Sequence, residues 1–118
     1  MHPNTRVCIA FVAAELISFL NSKSVYDHSQ TKHIKIGGTV SDSVVDIYDE
    51  EGTCVLKGEP ARLYDDIRRT IISLNIKGSQ FGGCDFGDNH YFSGQVSGNS
   101  VLLYDYGESE HFKYSLDP

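Results

Sequence analysis

The chain has 118 residues, of which 40% are apolar and 22% charged, a balance that suits one globular domain with a single core. Its net charge of −6 argues against a surface built to neutralise nucleic-acid phosphates or anionic lipid headgroups, which takes clustered Lys and Arg. Three cysteines, Cys8, Cys54 and Cys84, have no metal-like spacing, and their odd number suggests a reducing compartment, with one bridge plus a free thiol as the alternative.

The first element is an apolar run from Val7 to Leu20 in which Glu15 is the only charge. Pro3 precedes it, Asn4 or Thr5 can cap it, and Asn21-Ser22 ends it, which predicts a helix over about residues 5–20. Such a run is shorter than the ~20 residues a bilayer span needs, so no membrane span is expected. The expected location is cytoplasmic. A signal peptide over residues 1–14, with Val12-Ala13-Ala14 as its cleavage site, is the alternative and would make the protein secreted. Because the helix is apolar nearly all round, it should be enclosed on several sides.

From about residue 22 to 118 the chain repeats. A Tyr-Asp step recurs at Tyr26-Asp27, Tyr48-Asp49, Tyr64-Asp65 and Tyr104-Asp105, with Cys84-Asp85 as a variant. The aspartates are separated by 22, 16, 20 and 20 residues. Both flanks of each step alternate with period two: Val101 and Leu103 before Asp105, then Phe112, Tyr114 and Leu116 after it. That period marks half-buried strands. Each unit therefore reads as a β-hairpin, and five units of about twenty residues give about ten antiparallel strands in one domain.

If the four residues after each aspartate form the turn, Tyr26 lies opposite His33, Tyr104 opposite His111 and Cys84 opposite Tyr91 on the outer face. On the inner face Gly83 then opposes Phe92 and Phe81 opposes Gly94, large against small. Asp46 should meet Lys57. Return turns fall at Ser41–Ser43, Lys77-Gly78-Ser79 and Ser97–Ser100. Pro60 cannot donate to a ladder, which predicts an edge, bulged or interrupted strand there, and Phe81-Gly82-Gly83 predicts a kink.

Ten flat strands would span ~48 Å, whereas one helix of this length is ~23 Å long and ~10 Å wide. The predicted fold is mainly β: an N-terminal helix packed against or enclosed by a strongly curved, barrel-like antiparallel meander. The alternative to closure is dimerisation through the uncovered apolar face.

The most unusual predicted surface is the outer one, where Tyr26, His33, Tyr48, Tyr64, Tyr91, Tyr104 and His111 form the candidate partner- or ligand-binding set. Tyrosine suits protein interfaces and also stacks on sugars. The same residues would equally serve cross-strand packing. The repeated aspartates read as turn residues that accept loop amides rather than as cation ligands, since no turn has an EF-hand pattern. No catalytic residue, metal site or cofactor is expected: HExxH, phosphate-loop and nucleophile-elbow patterns are absent. The functional expectation is a non-enzymatic protein-interaction or self-assembly module, with a homo-oligomer or another protein as partner. A carbohydrate-binding module using the tyrosine belt is the alternative. A small enzyme would need a cleft gathering His90, His111 and neighbouring acids.

Overall fold

The computed structural model describes residues 1–117. One helix, α1 (Pro3–Ser18), is followed by ten strands: β1 (Ser24–Asp27), β2 (Lys32–Val40), β3 (Val45–Asp49), β4 (Val55–Glu59), β5 (Arg62–Asp65), β6 (Thr70–Lys77), β7 (Gln80–Asp85), β8 (His90–Ser97), β9 (Ser100–Asp105) and β10 (Glu110–Leu116). Each strand pairs antiparallel with the next, and β1 closes on β10 through Val25–Leu116 and Asp27–Tyr114. The result is a closed meander barrel around the helix.

α1 is buried from Asn4 to Ala14 and touches β1–β3, β6 and β8–β10. A helix with no polar face is stable only where every side is covered, and the barrel covers it. The helix starts and stops two residues earlier than expected. Pro3 occupies its first turn, where the missing N–H costs nothing, and the cap is His2, whose Nδ1 accepts the Asn4 amide at 3.2 Å. Asn4 and Thr5 lie inside the first turn instead of capping it. At the other end Phe19 takes a left-handed conformation (φ 53°) that ends the helix, and Glu15 accepts the amides of Asn21 and Ser22.

The predicted pairing holds across the sheet. Tyr104 opposes His111, Cys84 opposes Tyr91, Gly83 opposes Phe92, and Asp46 opposes Lys57. Four of the five aspartate turns span four residues and end in a left-handed residue: Thr31, Arg69, Asn89 and Ser109. The turn after Asp49 keeps the same register, Tyr48 opposite Val55, but takes its positive φ one residue earlier, at Gly52. At the opposite rim Gly78-Ser79 and Gly98-Asn99 make two-residue turns with positive φ at the glycine alone, the pattern of a type II′ hairpin.

Three expectations are corrected. Closure leaves no edge strand, so β4 is paired on both sides and ends at Glu59, with Pro60 placed in the turn where no ladder amide is needed. β7 is continuous through Gly82-Gly83. A Cβ on Gly83 would lie 1.8 Å from the Ser73 carbonyl and 2.8 Å from the Phe92 ring, so glycine permits close approach there rather than a kink. Finally, the barrel closes around the helix, so the inner face is covered over most of its length without a second subunit; Ile76, at the rim away from the helix N-terminus, stays 37% exposed.

Successive hairpins slip along one another, Tyr64 reaching Lys57 and Tyr48 reaching Gly37. Around the barrel these slips add to a shear of roughly fourteen residues, enough to open an interior that holds a helix.

The five repeated aspartates, Asp27, Asp49, Asp65, Asp85 and Asp105, are all at most 1% exposed and ring the barrel at the helix N-terminus. In each, Oδ1 holds the turn: Asp105 accepts the amides of Gly107 and Glu108, and Asp49 those of Thr53 and Cys54. Oδ2 turns elsewhere. In Asp105 it accepts from the Met1 amine (3.1 Å) and Arg6 (3.2 Å), and in Asp49 from Asn4 (2.8 Å). In Asp85 it meets Arg68, which also reaches Thr5, and in Asp27 it meets Gln30, which also reaches Asn4. The positive end of the helix dipole thus faces a circle of carboxylates.

Candidate functional site

The seven predicted outer-face residues lie on seven different strands of a closed barrel, so they form a belt around it and not a stripe on one side. Two local clusters emerge. Tyr26 packs edge-on against His28 and His33, with ring centroids 4.8 Å from each. Tyr104 does the same with Tyr106 and His111, at 4.7 and 4.6 Å. His33 also bonds Asp117 at 2.8 Å. Tyr48 lies over Gly37, filling the space a side chain would take, and Tyr64 sits between Lys57 and Ile71. These four tyrosines have cross-strand work to do. Tyr91, opposite the much smaller Cys84, stands clear of such packing and is 65% exposed.

The surface beside Tyr91 is where the outer wall departs from the rest. Outward positions on β6, β7 and β8 carry Ser73, Asn75, Cys84 and Ser93, all small or neutral. They leave a furrow of about 640 Å³ with no charged residue in its lining. Aromatic rings stand around it: Tyr91, Phe86 (53% exposed) and Tyr106 (54% exposed). Phe86 and Tyr106 are the first residues of the turns after Asp85 and Asp105. Their amides donate to the Ile71 and Tyr91 carbonyls at 3.0 and 3.1 Å, which fixes the backbone that carries them. Tyr106 Oη lies 3.4 Å from Ser93 Oγ. A second hollow of about 340 Å³ shares Ser93 and is lined by Tyr104 and His111.

Phe86 and Tyr106 were not among the residues singled out from sequence. The signal was available: both are aromatic at a turn position where the other units carry His28, Glu50 and Asp66. Cys84 sits on the furrow floor, and burial, helped by the neighbouring Asp85 carboxylate, pushes its thiol above the usual range.

The acids and histidines do not converge. Asp88 pairs with Arg68, and the hollow His111 shares with Tyr104 does not include His90. The His90 ring lies against Gly107, with Nδ1 buried and without a partner. Among the described residues no group of three His, Cys, Asp or Glu side chains is placed to hold a metal ion. No helix there is long and apolar enough to cross a membrane.

Fold and surface together define a helix-plugged, ten-stranded meander barrel with an aromatic-rimmed furrow on its outer wall. Compared with protein-family models, curated proteins and solved structures, the chain matches none.

Proposed function

We propose that this chain is a non-enzymatic interaction module that engages a protein partner, or a second copy of itself, through the Tyr/His-rich outer face, with the β6–β9 furrow as its centre. The observation that carries this reading is the exposure of Phe86, Tyr91 and Tyr106 around a floor of small residues. Exposed aromatic rings beside a concave, uncharged floor are what a partner's side chain buries against most productively. Because the barrel closes on the helix, self-assembly is supported by the furrow and not by an open inner face.

A second reading is supported by the furrow's chemistry. Ser73, Asn75 and Ser93 offer neutral hydroxyl and amide groups between ring faces, which is also how a saccharide is held.

Sedimentation equilibrium on the wild type and on Tyr91→Ala/Tyr106→Ala tests the first reading. Association that strengthens with concentration and falls at least about tenfold in the double variant, at unchanged far-ultraviolet circular dichroism, supports self-assembly. A strict monomer at ~1 mM in both removes that half of the proposal. Glycan-array binding lost on Tyr91→Ala would transfer the furrow to the carbohydrate reading, and array silence would remove that one.

A further inference from the structure

Every strand is paired on both sides, but the ladder between β5 and β6 stops early. Its last rung at the rim away from the helix N-terminus is Leu63–Ile72, because the chain turns back there and Arg62 pairs with Glu59. On its other side β6 stays paired with β7 out to Lys77–Gln80. Those two residues flank a two-residue turn and bond each other, so Asn75 also bonds towards β7, and Ile76 directs its N–H and C=O the opposite way. No strand lies there, and among the described residues no other backbone group takes up the Ile76 pair. The barrel wall therefore has a notch with one bare edge, about 10 Å long over Asn75–Lys77.

The notch opens on a hollow of about 500 Å³. Its deep side is apolar: Leu74 is buried, Leu16 of α1 is half-buried, and Ile76 stands at the edge. Asp42 and Glu59 are exposed in the same lining, which holds no Lys or Arg. Neither acid makes an ion pair among the described residues, not even Glu59 with Arg62 across the turn. The helix also ends here, with no basic residue in its last turn to offset the negative end of its dipole.

We propose that the notch takes a short extended segment of a basic protein partner as an added strand on β6. Its main chain pairs with Ile76, an aliphatic side chain fills the hollow over Leu16 and Leu74, and alternate Lys or Arg residues meet Asp42 and Glu59. Two copies docked notch to notch would set the same acids and negative helix ends against each other, so the occupant is a different chain. This surface is separate from the aromatic rings of the furrow and does not depend on them.

The test is a titration of the ¹⁵N-labelled full chain with acetyl-Lys-Val-Lys-Val-Lys-amide, followed by amide shifts. The expected result is saturable shifts at Leu16, Asp42, Ala61 and Ile76, with a Kd of ~0.1–1 mM. Two N-methylated forms of the peptide, one methylated at the valines and one at the lysines, read the ladder directly. Only the form whose methyl groups face β6 should lose binding, by at least about tenfold. The Asp42→Asn/Glu59→Gln variant should bind at least about fivefold more weakly at an unchanged urea midpoint, and a Glu-Val-Glu-Val-Glu peptide should not bind. Absence of shifts up to ~10 mM would overturn the proposal. So would retention or loss of binding by both methylated forms, equal binding of the glutamate peptide, or shifts centred on Phe86, Tyr91 and Tyr106 instead.

Discussion

At Asp105 one carboxylate oxygen accepts two turn amides while the other accepts from the Met1 amine and Arg6, all out of water. Burial pushes its pKa up, but the amine, the Glu108 amide and Arg6 together outweigh that and hold the carboxyl below its usual range. Arg6 also stacks over Phe112, 3.7 Å from the ring centroid, so it cannot swing to solvent without breaking core packing. Replacing Asp105 by Ala strands a buried guanidinium and two turn amides. The expected loss is ~3–5 kcal/mol, read as a shift in the urea midpoint. Asp66→Ala, on an exposed turn position and paired only loosely with Lys57 at 3.9 Å, should move it by less than about 0.5 kcal/mol. Equal effects at the two sites would mean that the buried carboxylate contributes no more than a solvated one.

At the scale of elements, the helix and barrel depend on each other. Every helix residue from Asn4 to Ala14 is buried, and the wall residues Ile47, Leu56, Leu63, Ile72 and Leu103 are fully covered. A chain lacking residues 1–18 should fail to form a compact barrel. The expected signature is strong binding of an apolar dye and loss of cooperative urea unfolding; a cooperative transition with no dye binding would show that the wall folds alone. Much of this was legible in the sequence, because strand parity, turn residues and the Tyr-Asp period all agreed. The aspartates were half legible. Their turn role follows from residue type, but they share parity with the inward residues Leu103 and Phe112, so they had to point into the core as well. That second role needed closure to be known, since an inward carboxylate is intelligible only once a helix N-terminus stands opposite. The furrow was hardest to foresee. It is made by what Ser73, Cys84 and Ser93 lack, and small residues carry no pattern of their own.

For the whole molecule, Asp105 and Asp49 shape the response to acid. Asp49 behaves like Asp105: burial raises its pKa, and bonds from Thr53, Cys54 and Asn4 more than reverse this, leaving it lowered. A lowered folded pKa means the unfolded chain binds protons more readily. The stabilisation is therefore complete above the unfolded carboxyl pKa of ~3.9 and is lost as pH falls through the folded values. Urea midpoints measured from pH 7 downward should stay level to about pH 5 and then drop steeply below about pH 4. Midpoints that rise on acidification would show instead that repulsion within the circle dominates.

Closure also governs how such a chain can change in length. In an open stack of repeats each unit meets only its neighbours, so one more or one fewer alters the total by a modest increment. Here the last strand must find the first, and the circumference must match the girth of the helix it surrounds. Losing one hairpin would leave eight strands and too narrow a bore; gaining one would leave a gap around the plug. Repeat number is thus not a quantity this architecture can drift along. Turns and outer wall are free to diverge unit by unit, but the count of five is inherited whole.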